Sequence, residues 1–378
     1  MRPHLLIGFI LINFLHASAQ RSLLSLEEET PAVWAVRFFQ QGRTDLSCSQ
    51  FFDANRVKDP DETNKVGGPA SRFYSLACRL QKKQSAAEQE AIRFLKENNI
   101  PVWLDRMHLE LANYYFEAKS WQDALDHFRA AGISHLTNQE IAASQFGQAY
   151  ALFSLKRFEE AVPLFNSIRQ LTTSPFQSAA QYYCGLLYLS EAKWDLAMDC
   201  FKQVESHPLY KRLAIFHLGQ LLVKKGDLSV ATTYLEKNSI LYTDTLYPAI
   251  PFKQLLGHSY FVQQDYKKAL PFLSAYRASV KALDRADQYE LAYAQLREDQ
   301  FEAAITGFVN LIGGNDSIAN YAMFQLGESR LRNGDRAGAQ SAFLYSSLNN
   351  KHSLFKSLSQ FLYGKLSYEL GHFNEASR

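Results

Sequence analysis

The chain has 378 residues, of which 47% are hydrophobic and 21% charged, a balance that belongs to globular proteins and excludes a disordered or fibrous chain. Its 40 basic and 38 acidic side chains leave a net charge of +2 with no long block of one sign, so bulk electrostatics gives no reason to expect a nucleic-acid partner. The 27 Phe and 20 Tyr against 11 Pro suit packed amphipathic helices and exclude Pro-rich linkers and low-complexity tails.

Residues 1–19 open with Arg2 and His4, run through Leu5, Leu6, Ile7, Gly8, Phe9, Ile10, Leu11 and Ile12, and close on Ala17-Ser18-Ala19 before Gln20. This order predicts a secretory signal peptide, with small residues where the peptidase must admit them. The apolar run stops at Asn13, short of the ~20 apolar residues of a spanning helix. No Cys follows the cleavage point, which excludes a bacterial lipoprotein anchor. The mature chain is therefore expected to be soluble in an exported compartment, without stable membrane insertion. Its four cysteines, Cys48, Cys78, Cys184 and Cys200, are too sparse for a disulfide scaffold. A bridge between Cys184 and Cys200 is geometrically conceivable if they lie on neighbouring antiparallel helices, but both fall at core-facing positions, where buried free thiols are expected.

Residues 20–100 read as degenerate helical repeats that cap the chain. Ala35, Phe38, Gly42, Ser47 and Phe51 keep the register of the later repeat, as do Ser75, Cys78, Ala87 and Ala91, with poorer residues. Between them the segment from Asp59 to Pro69 has the turn chemistry of a flexible connection.

From residue 101 to 378 a repeat is explicit. Ala124, Ala161, Ala197, Ala231, Ala269, Ala304, Ala339 and Ala376 follow one another at 37, 36, 34, 38, 35, 35 and 37 residues. Twelve residues before each stands a small partner: Ala112, Ala149, Gly185, Gly219, Gly257, Ala292, Gly327 or Gly364. Three residues before each Ala is Trp121, Phe158, Trp194, Leu228, Tyr266, Phe301 or Phe373, with Arg336 as the departure; four after come Phe128, Phe165, Phe201, Leu235, Leu273, Phe308 and Phe343. Polar turn segments such as Lys224-Lys225-Gly226-Asp227 and Arg332-Asn333-Gly334-Asp335 separate the two small residues, so two helices run antiparallel and in contact. Small residues at the crossing let the backbones approach, and the large ones on the same face fill the flanks. One hairpin cannot bury that face, so neighbours must stack.

The Leu-Gly-x-x-Tyr pattern of Leu256-Gly257-His258-Ser259-Tyr260, followed by Tyr266-Lys267-Lys268-Ala269, resembles a tetratricopeptide repeat. The resemblance covers about eight units, the last incomplete, and is similar to exported, cell-envelope members of that family. It implies an all-α, right-handed superhelical solenoid of antiparallel helical hairpins whose first helices line a concave groove. The residue after each first-helix small position would face that groove: Asn113, Tyr150, Leu186, Gln220, His258, Tyr293, Glu328 and Lys365. Tyr150, Leu186 and Tyr293 are expected to be exposed there. Four residues earlier, Phe146, Tyr182, Phe216, Tyr289, Phe324 and Phe361 form a strip expected to serve packing between repeats. No Lys/Arg pair recurs along the groove to clamp a partner's terminal carboxylate. The last unit carries one full helix and a stub from about Asn374, so a longer protein is expected.

No His-Glu-x-x-His, Cys-x-x-Cys, Gly-x-Ser-x-Gly or phosphate-binding Gly-rich motif occurs in the sequence. His127, His135 and His258 lack the companion ligands of a metal site, and no metal or cofactor is expected. Gly313-Gly314-Asn315-Asp316 falls where a loop between repeats is due, and Asn315-Asp316-Ser317 is a lone glycosylation sequon. The expected role is a non-catalytic scaffold of the bacterial periplasm or cell envelope that holds a protein or peptide partner. Its rivals are the targeting half of a longer enzyme and a glycan- or peptidoglycan-binding carrier.

Overall fold

The computed structural model of the chain describes residues 69–376. The signal segment, the unit marked by Ala35, Phe38, Gly42, Ser47 and Phe51, and most of the connection after Asp59 lie outside the described residues. Among the described residues there are eighteen α-helices and no strand. They cluster into two compact units, one reaching Lys211 and one starting at Arg212, a boundary inside the stretch that the spacing reads as one array.

The first unit contains four hairpins, α1 (Pro69–Gln81) with α2 (Ala87–Glu97), α3 (Pro101–Ala118) with α4 (Trp121–Ala130), α5 (Asn138–Ser154) with α6 (Phe158–Gln170), and α7 (Gln177–Ser190) with α8 (Trp194–Gln203). The upstream unit expected around Ser75 and Ala87 is thus a hairpin, and its core joins Phe73, Cys78, Ala91 and Phe94 to Met107 and Leu111 of α3. Cys78 is disulfide-bonded, whereas Cys184 and Cys200 are buried free thiols, and burial pushes Cys184 up to about 12.

The second unit contains α9 (Lys211–Lys224) with α10 (Leu228–Asn238), α11 (Ala249–Val262) with α12 (Tyr266–Ser279), α13 (Arg285–Arg297) with α14 (Phe301–Val309), α15 (Ser317–Arg332) with α16 (Arg336–Asn349), and α17 (Ser353–Glu369) with the short α18 (Phe373–Ala376). First helices also pack on first helices, α5 on α3 in one unit, and α13 on α11, α15 on α13 and α17 on α15 in the other.

The repeat register survives intact in three dimensions. The seven second-helix alanines from Ala124 to Ala339 are all 0% exposed, and the large residues four places on are at most 2% exposed. A Cβ built on Gly185 would lie 2.7 Å from Phe201, and one on Gly257 2.9 Å from Leu273. Gly219 and Gly327 meet Leu235 and Phe343 in the same way. Each of these four glycines is therefore the seat of the large side chain of its own second helix, and any side chain there would displace it.

In the eight hairpins from α3–α4 to α17–α18 the second helix begins at the residue three before its Ala, and their turns close alike. Lys119, Lys156, Ala192, Gly226, Gln264, Asp299, Gly334 and Gly371 all have positive φ, two residues before the second helix. The next amide donates back to the first helix, as Ser120 N–H to Tyr115 O at 2.9 Å, Lys193 N–H to Tyr188 O at 2.9 Å and Asp335 N–H to Arg330 O at 3.0 Å. This is a Schellman closure, which satisfies a carbonyl at the helix end. Only Gly takes the left-handed conformation without steric cost.

Those turns make a direct test. Ala192→Gly should raise stability by about 0.5–1 kcal/mol, because it removes the Cβ penalty at φ 55. Gly226→Ala should lower it by about 1 kcal/mol through backbone strain alone, since a Cβ there meets nothing within 4 Å. Urea midpoints of the two variants moving in the same direction would count against the turn assignment.

Candidate partner-binding face

The residues expected to face a groove occupy one position on successive first helices. In the first unit Asn113 and Leu186 are half-buried on α3 and α7. Tyr150 is not exposed: it is 1% accessible and belongs to the core. Its ring lies 5.3 Å from Phe116, 5.5 Å from Trp121 and 5.2 Å from Tyr183, so it fills the space between its own hairpin and the hairpins on either side. A small residue on the preceding first helix would have left that ring in solvent; Phe116 and Trp121 instead provide an aromatic wall.

In the second unit Gln220, His258, Tyr293 and Glu328 are half-buried and Lys365 is exposed. Each polar member is engaged beside the strip. Gln220 Oε1 is 2.9 Å from His217 Nδ1, and Arg332 pairs with Glu328 at 2.7 Å. His258 Nδ1 lies 2.7 Å from Glu290 Oε1 on the next first helix, and that carboxylate raises the histidine's pKa above its ordinary value. Tyr293 stacks on Tyr289 at 5.8 Å and meets Tyr266 and Phe261 edge-on, so it is half-buried rather than free. The neighbouring strip behaves as packing where Phe146, Tyr182 and Phe216 are 1%, 2% and 3% exposed, but Phe361 is 69% exposed.

Sequence reading missed the ties between repeats. Gln254 donates to both carboxylate oxygens of Asp287 at 2.8 Å, 33 residues away. Arg285 forks onto Asp316 at 2.7 and 2.9 Å, 31 residues away, and Arg212 onto Asp244 at 2.8 and 2.7 Å, 32 residues away. Opposite partners one repeat apart were the available signal, because equivalent positions of stacked hairpins are neighbours in space. Asp316 also caps α15 through the Ala319 amide, and Arg285 chiefly holds it down to about 2. The loop expected at Gly313 to Asp316 is the one that precedes α15.

The histidines are spent in pairs. His108 and His127 face each other across the α3–α4 hairpin with Nδ1 atoms 2.9 Å apart, and Tyr115 stacks on His127. His135 lies 2.7 Å from Asp105. Among the described residues no group of three or more His, Cys, Asp or Glu is arranged to hold a metal, and no helix is long and apolar enough to cross a membrane. Two open depressions, of about 340 and 600 Å³, contain none of the eight strip residues.

No protein-family model and no curated protein matches the sequence. Solved structures do. The apo form of RapI superposes with a TM-score of 0.54 at 10% identity, covering 90% of this chain and 98% of its own. The chain has a tetratricopeptide-like fold. The apo quorum sensor NprR from B. thuringiensis gives 0.49 at 12% identity over 82% of this chain and 94% of its own. A tetratricopeptide repeat protein from Parabacteroides merdae gives 0.43 at 12% identity over 70% and 98%.

Two outcomes follow for this face. Tyr150→Ala should cost about 3–5 kcal/mol, as for a large aromatic removed from a packed interior, and a thermal melt matching the parent would place the ring outside the core. Acid should weaken the fold. Burial pushes His217 down to about 4 and also lowers His108 and His127, so the unfolded chain binds more protons than the folded one below the unfolded pKa of ~6.5. Their stability is complete above that pH and is lost as pH falls, on the order of 2 kcal/mol from His217 by pH ~4.5. His258, with its pKa raised, acts in the opposite sense and loses its contribution as pH rises through its folded pKa. Thermal unfolding across this range should show His217→Gln with a shallower acid decline; an identical slope would refute the assignment.

Proposed function

We propose that the chain is a non-catalytic scaffold of the bacterial cell envelope or periplasm that holds a protein or peptide segment along the strip of first-helix residues. The observation that carries this reading is the strip on α11, α13 and α15, where His258, Tyr293 and Glu328 are half-exposed on equivalent turns of the first helices of consecutive hairpins. An aromatic ring between polar neighbours at one-repeat intervals suits an extended segment or a helix, with the ring as anchor and the polar groups setting register. Export is supported by the signal-like residues 1–19 and by the disulfide at Cys78, a bond that persists in oxidising compartments.

A photocrosslinking residue at Tyr293, compared with one at the exposed Tyr345, tests the face. Crosslinks to a protein partner should form at the first position only. Tyr293→Ala with His258→Ala should weaken that partner's binding about tenfold, near 1.4 kcal/mol, with unchanged helical circular dichroism. Equal crosslinking at both positions would sink the face assignment. Detection of Met1 rather than Gln20 at the N-terminus of the protein recovered from the periplasm would sink export by cleavage.

A further inference from the structure

The larger of the two depressions, about 600 Å³, is lined by α12, the loop after it, α13 and α14. Small side chains open it. The place three after the buried Ala of a second helix holds Leu164, Tyr234 and Phe272 in α6, α10 and α12 but Gly307 in α14. Ala303 and Thr306 share that face of α14. Because α13 runs antiparallel to the helix on either side, Arg277, Lys281 and Asn310 gather where α13 begins. Gln295 lies toward its other end, about 10 Å along the axis from Gln288, with Leu291 between them.

The polar groups of this depression are unengaged. Elsewhere in the unit the guanidinium groups of Arg212, Arg285 and Arg332 are paired with carboxylates. Among the described residues neither Arg277 nor Lys281 enters an ion pair, and the side-chain amides of Gln295 and Asn310 make no hydrogen bond. Both cations are exposed, and no carboxylate lines the depression. The smaller depression is its counterpart in the first unit: Arg169, Gln181, Asp199 and Gln203 take the repeat positions of Arg277, Gln288, Thr306 and Asn310. There Arg169 donates to Asn166 at 2.7 Å and to Cys200 at 3.7 Å, and the Asp199 carboxylate stands in the lining. The same place in the repeat is thus charge-balanced in one unit and cationic in the other.

We propose that the depression between α12 and α14 binds a small organic carboxylate with an apolar body. The fork of the Arg277 guanidinium matches the two carboxylate oxygens, Lys281 adds a second positive charge, and the Asn310 amide adds a neutral donor. The body lies along Leu291, Ala303 and the open face of Gly307 and reaches Gln295 at the far end. The volume of about 600 Å³ falls within the roughly 300–1,000 Å³ of small-molecule sites, which combine an apolar lining with a few placed polar groups. None of the eight strip residues lines this depression, so the site is independent of the partner face.

Isothermal titration calorimetry of the 378-residue chain with sodium octanoate as the probe should give a Kd of about 1 mM or tighter. Arg277→Gln with Lys281→Gln should weaken it at least about tenfold. Thr306→Glu should do the same by setting a like charge beside the carboxylate, and Ala303→Phe by filling the apolar stretch, both with unchanged helical circular dichroism. Lys237→Gln, exposed on α10, should leave the affinity as it is. Octanol, of the same length without the charge, should bind at least about tenfold more weakly. No binding of octanoate up to about 10 mM overturns the proposal, as does an affinity indifferent to the Arg277 and Lys281 substitutions. Inorganic sulfate binding as tightly as octanoate overturns the role of the apolar stretch. Tighter binding of acetyl-glutamyl methylamide, a carboxylate on a peptide backbone, would overturn the small-molecule reading and assign the depression to an acidic peptide segment.

Discussion

The structure depends on one contact, repeated at Gly185, Gly219, Gly257 and Gly327: a small residue on the first helix of a hairpin receiving a large side chain from the second. Where Gly185 meets Phe201 and Gly257 meets Leu273, the space for a Cβ is already occupied, so the two backbones can come no closer and need no more room. The crossing fixes the position of the second helix, and the second helix fixes the surface on which the next hairpin must pack. Because hairpins contact mainly their neighbours, stability accumulates along each unit as a chain of nearest-neighbour terms. A single oversized residue at a crossing would open its own hairpin and the interface beyond it.

The turns show how strongly that packing overrides local preference. Eight turns close in the left-handed conformation, yet only Gly226, Gly334 and Gly371 among them are glycines. Lys119, Lys156, Ala192, Gln264 and Asp299 adopt it at a cost of roughly 1–2 kcal/mol each. The cost is offset because the closure satisfies helix-end carbonyls and sets the second helix at the angle its buried Ala and large residue require. Sequence reading placed the turns correctly from their polarity, but the repeated conformation at one repeat position was not visible from residue types.

The binding face was less legible than the fold. The position after each first-helix small residue is equivalent in register, yet its occupants differ in fate. Tyr150 is enclosed by Phe116, Trp121 and Tyr183, whereas Tyr293 leans on Tyr289 and Tyr266 and keeps part of its ring accessible. Nothing in either tyrosine or its immediate neighbours in sequence distinguishes them; the rings that cover Tyr150 come from the hairpins before and after its own. The ties of Gln254 to Asp287 and His258 to Glu290 were legible in principle, through partners one repeat apart, and they brace successive first helices against each other.

What the sequence by itself determined was the hairpin: which residues cross, where each second helix begins, where the turn falls, and that the fold is tetratricopeptide-like. These follow from short-range periodicity, since small and large residues at fixed spacing on two adjacent helices admit essentially one way of packing. What only the tertiary structure decided was exposure, partnership and charge: Tyr150 inside and Phe361 outside, His108 against His127, and Lys211 and Arg212 on either side of a boundary between compact units. Those outcomes depend on side chains contributed by other hairpins, and the burial of one residue is set by neighbours that its own local pattern does not encode.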